Sequence, residues 1–258
     1  VTLEAQAPAT LKAEAPDSLE ARALAALDTV RDPELDTSIV ELGFVASCAA
    51  DDSGVVAVRL RLPTFFCAPN FAFLMVADAH DAVSAVPGVA RAEIVLTDHF
   101  AAMTINDGVA ARAGFKASFA GEAEGELDEL RRTFVRKAML AGQDRVARPL
   151  LAAGYTPDQL AGLRLADVPG SADLNRLRER RAELGIRTDD DAPLMVDETG
   201  APVGVEGLPL HLRRARSTRV SMEVNGGECL SLLAARYGVG SVTDHDTTRD
   251  DAMREKAR

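Results

Sequence analysis

Residues 55–62 alternate along the chain, with Val56, Val58, Leu60 and Leu62 on one side and Arg59 and Arg61 on the other. That two-residue period predicts a half-buried strand, and Pro63 ends it. Beyond it, Phe71, Leu74, Met75, Ala79, Ala82, Val83 and Val86 recur three and four residues apart. They predict a helix with Asn70 as its N-cap and Pro87-Gly88 as its stop. Upstream, Leu19, Ala23, Leu27 and Val30 mark an earlier helix that begins at Asp17 or Ser18, with Glu20 placed as in a capping box. Arg31-Asp32-Pro33-Glu34 closes that helix, because a residue before proline is pushed out of the α region.

Phe44, Ala46 and Cys48 alternate with Val45 and Ser47 as a further strand, and Asp51-Asp52-Ser53-Gly54 turns it into the strand at 55–62 as an antiparallel hairpin. Residues 90–97 supply a third strand, parallel to the second through a right-handed crossover. The fold class expected is α/β (α+β): a small α-β-β-α-β domain at 17–105 with a three-stranded mixed sheet, then a mainly helical domain at 126–239. Residues 1–16 are expected as a disordered leader, 106–125, with Asn106-Asp107-Gly108, as a linker, and 240–258 as a disordered tail.

In the helical region Leu127, Leu130, Phe134, Ala138 and Met139 form an apolar stripe, opposite Arg131, Arg132, Arg136 and Lys137. Pro149 and Gly154 bracket a next helical piece. Thr156-Pro157-Asp158-Gln159 then reads as an N-cap, a first-turn proline and a capping-box glutamine, and Ser171 starts another helix that Gly185 stops. Residues 194–205 suggest a small hairpin, and Cys229 with Leu230, Leu232 and Leu233 a core cysteine on a final helix.

A formal net charge of −11 argues against a general binder of nucleic acid or anionic membrane. Three cysteines at wide spacing, Cys48, Cys67 and Cys229, suit a reducing cytosol better than a disulfide framework. With no basic-then-apolar leader and no run of about 18 apolar residues, a soluble cytoplasmic protein is expected.

The candidate chemistry centres on Thr64-Phe65-Phe66-Cys67-Ala68-Pro69-Asn70, where strand gives way to helix. Unpaired N–H groups and the positive end of the helix dipole favour a thiolate there, the form that attacks electrophiles and binds soft metals. A buried cysteine acting as a small hydrophobe fits the same spacing. His80 or His99 is a candidate base for nucleophilic chemistry, but Ser/His/Asp order, Gly-rich phosphate loops and HExxH are all absent from the sequence. Asp32 and Glu34 read either as a carboxylate pair or, more simply, as a stop and turn. The run His211 to Arg219, with Arg213, Arg214, Arg216 and Arg219, suits an acidic partner surface or plain solvation.

Four stretches together resemble a known family. They are Val30-Arg31-Asp32-Pro33-Glu34, Glu41-Leu42-Gly43-Phe44-Val45, Leu62 to Cys67, and Val86-Pro87-Gly88-Val89. In order and spacing they resemble the small iron–sulfur cluster assembly domain of SufT-like and PaaD-like proteins and of the cytosolic cluster-targeting factors of eukaryotes, over residues 18–105. That family reads Cys-Pro where this chain has Cys67-Ala68-Pro69, and a tryptophan after the third strand where this chain has His99-Phe100. Residues 66–71 resemble a variant that accompanies soluble di-iron monooxygenases. The resemblance implies a non-enzymatic maturation factor with Cys67 as the metal-binding thiol, Cys48 as the second candidate ligand, and Asp32, Glu34, Thr64 and Asn70 in support. It further implies iron or an iron–sulfur cluster held transiently, and an iron–sulfur or di-iron client. Clusters normally take four ligands, mostly thiolates, so either two chains share one as a homodimer or a single thiolate hands it on. The alternative is an assembly chaperone or scaffold for an oxygenase subunit, bound through the helical region.

Overall fold

The computed structural model describes residues 18–238; the expected leader at 1–16 and tail at 240–258 lie outside the described residues. Helix α1 (Leu19–Leu27) starts where the Ser18 hydroxyl accepts the Ala21 N–H at 3.1 Å, and it buries Ala23 and Leu27. Asp32 then makes an Asx turn, its Oδ1 accepting the N–H groups of Glu34 and Leu35, both at 2.9 Å. That turn folds the expected loop into a two-residue ladder, β1 (Arg31–Asp32) against β2 (Thr37–Ser38).

The main sheet has the order β3-β4-β5, with β3 (Val45–Ala50) antiparallel to β4 (Val55–Leu60) and β5 (Arg91–Leu96) parallel to β4. Val56, Val58 and Leu60 are buried while Ala57 and Arg59 face solvent, so one face of β4 carries the core. Asp51 Oδ1 ties the hairpin by accepting from Ser53 and Val55 N–H, each at 2.9 Å. Gly54 sits at φ +81°, where a Cβ would come within 2.8 Å of the Gly88 carbonyl oxygen, so the hairpin turn can lie against the loop before β5.

Helix α2 (Pro69–Ser84) packs on β5 and α1 through Ala72, Phe73, Met75, Val76, Ala79 and Val83. Ala68, not Asn70, is its N-cap residue, because Pro69 takes the first helical position; Asn70 Oδ1 accepts the Phe71 N–H at 2.9 Å instead. Helix α3 (Ala102–Ala110) runs through the expected end of the first domain, and α4 (Phe115–Ser118) follows in the stretch read as linker. Asn106, a turn signal in sequence, spends both ends of its amide on Leu96, accepting its N–H at 2.9 Å and donating to its carbonyl at 3.0 Å. Gly108 lets α3 meet α4, since a Cβ there would fall 2.0 Å from Ser118 Oγ.

Helix α5 (Asp128–Ala152) continues through Pro149 near its end, which has no N–H to give the Arg145 carbonyl and so removes one bond from the helix; Gly154, at φ +96°, follows its end. Helices α6 (Pro157–Gly162), with the expected Thr156/Gln159 capping box, and α7 (Ala172–Glu183), capped by Ser171, surround a second core with Met139, Leu160, Leu177, Leu194 and Leu208. The 194–205 hairpin reduces to a single bridge between Val196 and Pro202. Arg181 is wholly buried and donates to the carbonyls of Pro193 and Leu194, at 2.8 and 2.5 Å. Helix α8 (Leu208–Tyr237) packs along α5, where buried Arg219 and Asp144 pair at 2.6 Å. No helix among the described residues is long and apolar enough to cross a membrane.

The two cores are joined by charge and by helix. Asp36, 4% exposed and at φ +54°, faces Arg180 Nε at 2.8 Å and Arg145 Nη1 at 3.6 Å. Arg131 grips Asp78 through two bonds of 2.6 and 2.7 Å, and Phe134 stacks edge-on against Phe71 at 5.0 Å. Asp36→Asn keeps the side-chain shape and the tolerance of positive φ but leaves two buried guanidinium groups without that counter-charge. The expected cost is about 3 kcal/mol, read by urea unfolding, and an unchanged midpoint would show that the latch carries no weight.

Candidate functional site

Cys67 lies one residue before the cap of α2, half-buried against the first core. Its Sγ is 3.3 Å from the Thr64 hydroxyl, whose oxygen also accepts the Phe66 N–H at 3.2 Å. That hydroxyl donates to a thiolate or accepts from a thiol, so it suits both states of the sulfur. His99 serves the backbone: its Nε2 meets the Cys67 carbonyl oxygen at 2.7 Å while its Nδ1 accepts the Ala101 N–H at 3.2 Å. The second bond fixes the neutral tautomer with the proton on Nε2. Burial lowers the His99 pKa, opposed by the bond to Cys67 and reinforced by Arg236. This histidine therefore holds the cysteine loop rather than acting as a base on Sγ, and His80, beside Asp81 on α2, is not part of the loop.

The residues just before the sulfur carry exposed apolar surface. Phe65, Phe66 and Phe100 are 44, 77 and 52% exposed. The three rings form one cluster with centroids 5.1 to 6.3 Å apart, and Phe100 N–H donates to the Phe65 carbonyl at 3.1 Å.

The end of α8 closes the site from the other side. Arg236 donates to the carbonyls of Leu62 and Asp98, at 3.2 and 2.7 Å, one in each of the loops that follow β4 and β5. Tyr237 donates its hydroxyl to Asp98 at 3.3 Å and lies under the Arg61 guanidinium, 4.8 Å from its ring centre. Leu233 is buried in the first core. On the same helix Cys229 is half-buried, and its thiol is pushed up to about 11 by burial first, then by Asp32, Cys67, Glu34 and Glu228.

The expected residues divide accordingly. Thr64 and Cys67 meet within the loop, Asp32 and Glu34 act on Cys229 of α8 instead, and Cys48 is buried on β3, its thiol pushed up to about 11 by burial and by Glu20 of α1. Arg213, Arg214 and Arg216 are exposed on α8. Arg219 is not a surface group: it is buried between α5 and α8, bound to Asp144 and Glu223. Cys229 and Arg236 are the residues that the sequence pattern did not assign to the site, because only tertiary docking brings α8 to the cysteine loop. Among the described residues, no three His, Cys, Asp or Glu side chains converge to hold a metal ion, and all three cysteines are free.

Asp32 is 8% exposed and its carboxyl is pushed up from 3.8 to about 6, by burial above all, against the lowering by its two N–H bonds and with some help from Glu34. The folded protein thus binds this proton more tightly than the unfolded chain. The stability it contributes is whole below pH 4 and is lost as pH rises through 6, on the order of 3 kcal/mol. Asp32→Asn keeps the oxygen that accepts both N–H groups and removes the charge. Its stability advantage over wild type should grow between pH 4 and 6 and then level off, in urea unfolding as a function of pH; parallel curves would contradict the assignment.

A family model described as iron-sulfur cluster assembly protein matches residues 20–94, from α1 to β5 and including Asp32, Glu34, Thr64 and Cys67. An uncharacterized protein of Methanocaldococcus jannaschii is 33% identical over 84 residues, which make up 33% of this chain and 86% of that protein. No solved structure matches. His99, Arg236 and Cys229 lie beyond the family match.

Proposed function

The chain belongs to the iron–sulfur cluster assembly protein family, and from that premise we propose that it is a maturation factor that assists metallation of a client protein through Cys67. The client is an iron–sulfur or di-iron protein, such as a monooxygenase component, met in the cytoplasm. The observation that carries this reading is a half-exposed sulfur fixed from two directions, Thr64 on Sγ and His99 on the carbonyl, in a domain of this family. A cluster or iron is cargo here, not a resident group. One thiolate leaves most of the four coordination positions to other donors, so what is bound can also leave. Among the described residues the hydrogen-bond partner of Sγ is the Thr64 hydroxyl and not a base, an arrangement that suits ligation.

Cys67→Ser removes the soft ligand while keeping the hydrogen bond to Thr64. Client purified from cells with only that variant is expected to lack its iron, with the variant itself folded by circular dichroism. Full iron content in that client would overturn the reading.

A second reading, a chaperone or scaffold that holds an apo-subunit without handling metal, draws on the aromatic cluster beside Cys67, since exposed contiguous rings mark surfaces that bind protein. Replacing Phe66 and Phe100 by Ser separates the two. Loss of client capture in the Phe variant, with full client metallation in Cys67→Ser cells, would establish the scaffold.

A further inference from the structure

A groove of about 530 Å³ lies between α5 and α8. Its floor is the buried pair of Arg219 and Asp144, 2.6 Å apart, with Glu223 on the second arm of the same guanidinium. Arg148 of α5, one turn beyond Asp144, lines the same groove, as do Arg213 and Arg216 in the turns of α8 before Arg219. All three are exposed, and none makes an ion pair or a side-chain hydrogen bond among the described residues. The two acids of the groove cannot serve as their counter-ions, since Arg219 already engages both. Exposed Arg164 and Arg187 show the opposite pattern, each beside an aspartate of its own, Asp191 and Asp189. The set also differs from the basic run in the sequence: Arg214 lines another cavity, Arg219 is spent in the floor, and Arg148 joins from a different helix.

We infer that this groove docks an acidic segment of the client protein, with carboxylates of that segment paired to Arg148, Arg213 and Arg216. This rests on the proposed role in maturation and adds the surface by which the helical region recognises a client. Three like charges at one opening repel one another until an anion arrives, and a guanidinium fork takes a carboxylate through two bonds. Leu151, 36% exposed, and Leu212 border the same groove. They favour a polypeptide that carries apolar side chains among its acids over a phosphate backbone. A long polyanion such as nucleic acid would also meet the negative charge of a chain whose net is −11, whereas a short acidic segment ends before it does.

A labelled peptide of Glu with interspersed Leu tests the groove on the full chain by fluorescence anisotropy. Wild type should bind it, with an affinity that falls as salt rises. Arg148→Gln, Arg213→Gln and Arg216→Gln, made together, should weaken binding at least about tenfold while the circular dichroism spectrum stays that of wild type. Arg132→Gln, which removes an exposed charge of α5 outside the groove, should bind as wild type, and so should Cys67→Ser. No binding by wild type, wild-type affinity in the triple variant, or an equal loss in Arg132→Gln or Cys67→Ser overturns the inference. A thymidine oligonucleotide of equal charge is the rival ligand, and tighter binding of it than of the peptide would overturn the choice of partner. If the groove fails while client iron still depends on Cys67, the proposed function stands without it.

Discussion

The docking of one helix end onto two loops is the interaction on which the rest of the site depends. Strands β4 and β5 are parallel, so both release the chain at the same edge of the sheet, and the loops that follow them carry Cys67 and His99. Loops at such an edge have backbone carbonyls with no ladder partner. The Arg236 guanidinium takes one from each loop, Leu62 and Asp98, and its planar fork suits two acceptors at once. His99 then ties the second loop to the first at Cys67 itself. A flexible connection with a thiol in it becomes a fixed sulfur with a hydroxyl partner.

That arrangement explains how the helical region bears on a site it does not contain. Its own core closes around Leu160, Leu165, Leu177 and Leu194, and α8 is the element that leaves it to insert Leu233 into the other core. Asp36 with Arg145 and Arg180, and Asp78 with Arg131, fix the remaining contact. Most of these are partly or wholly buried ion pairs, which cost desolvation and repay it through geometry; they specify how the two parts meet more than they stabilise them. The shape around Cys67 is thus a joint product of both parts, and Phe65, Phe66 and Phe100 form an exposed aromatic rim beside it.

Much of the α/β unit was legible because its signals are local. The alternation of Val56, Val58 and Leu60, the Asp51 turn and the helical spacing from Phe71 to Val83 each specify an element without help from the rest. The position of Cys67 before α2 followed from the same pattern, although Pro69 moved the cap from Asn70 to Ala68. What escaped was tertiary. Asn106 looks like a turn residue and is instead a bracket on Leu96; Arg219 looks like part of a basic surface and is instead a buried partner of Asp144. Cys229 does pack against a core, but that of the α/β unit, because nothing along α8 says which face will meet another domain.

Through Arg236, α8 holds the cysteine loop in place from outside the family match. Hydrogen exchange on the Arg236→Ala variant, followed amide by amide against wild type, should be faster in 64–67 and 99–101 together, with the β3-β4-β5 ladder unchanged. Loops that exchange as in wild type would show that the α/β unit positions Cys67 by itself and that the docked helix end does nothing for the site.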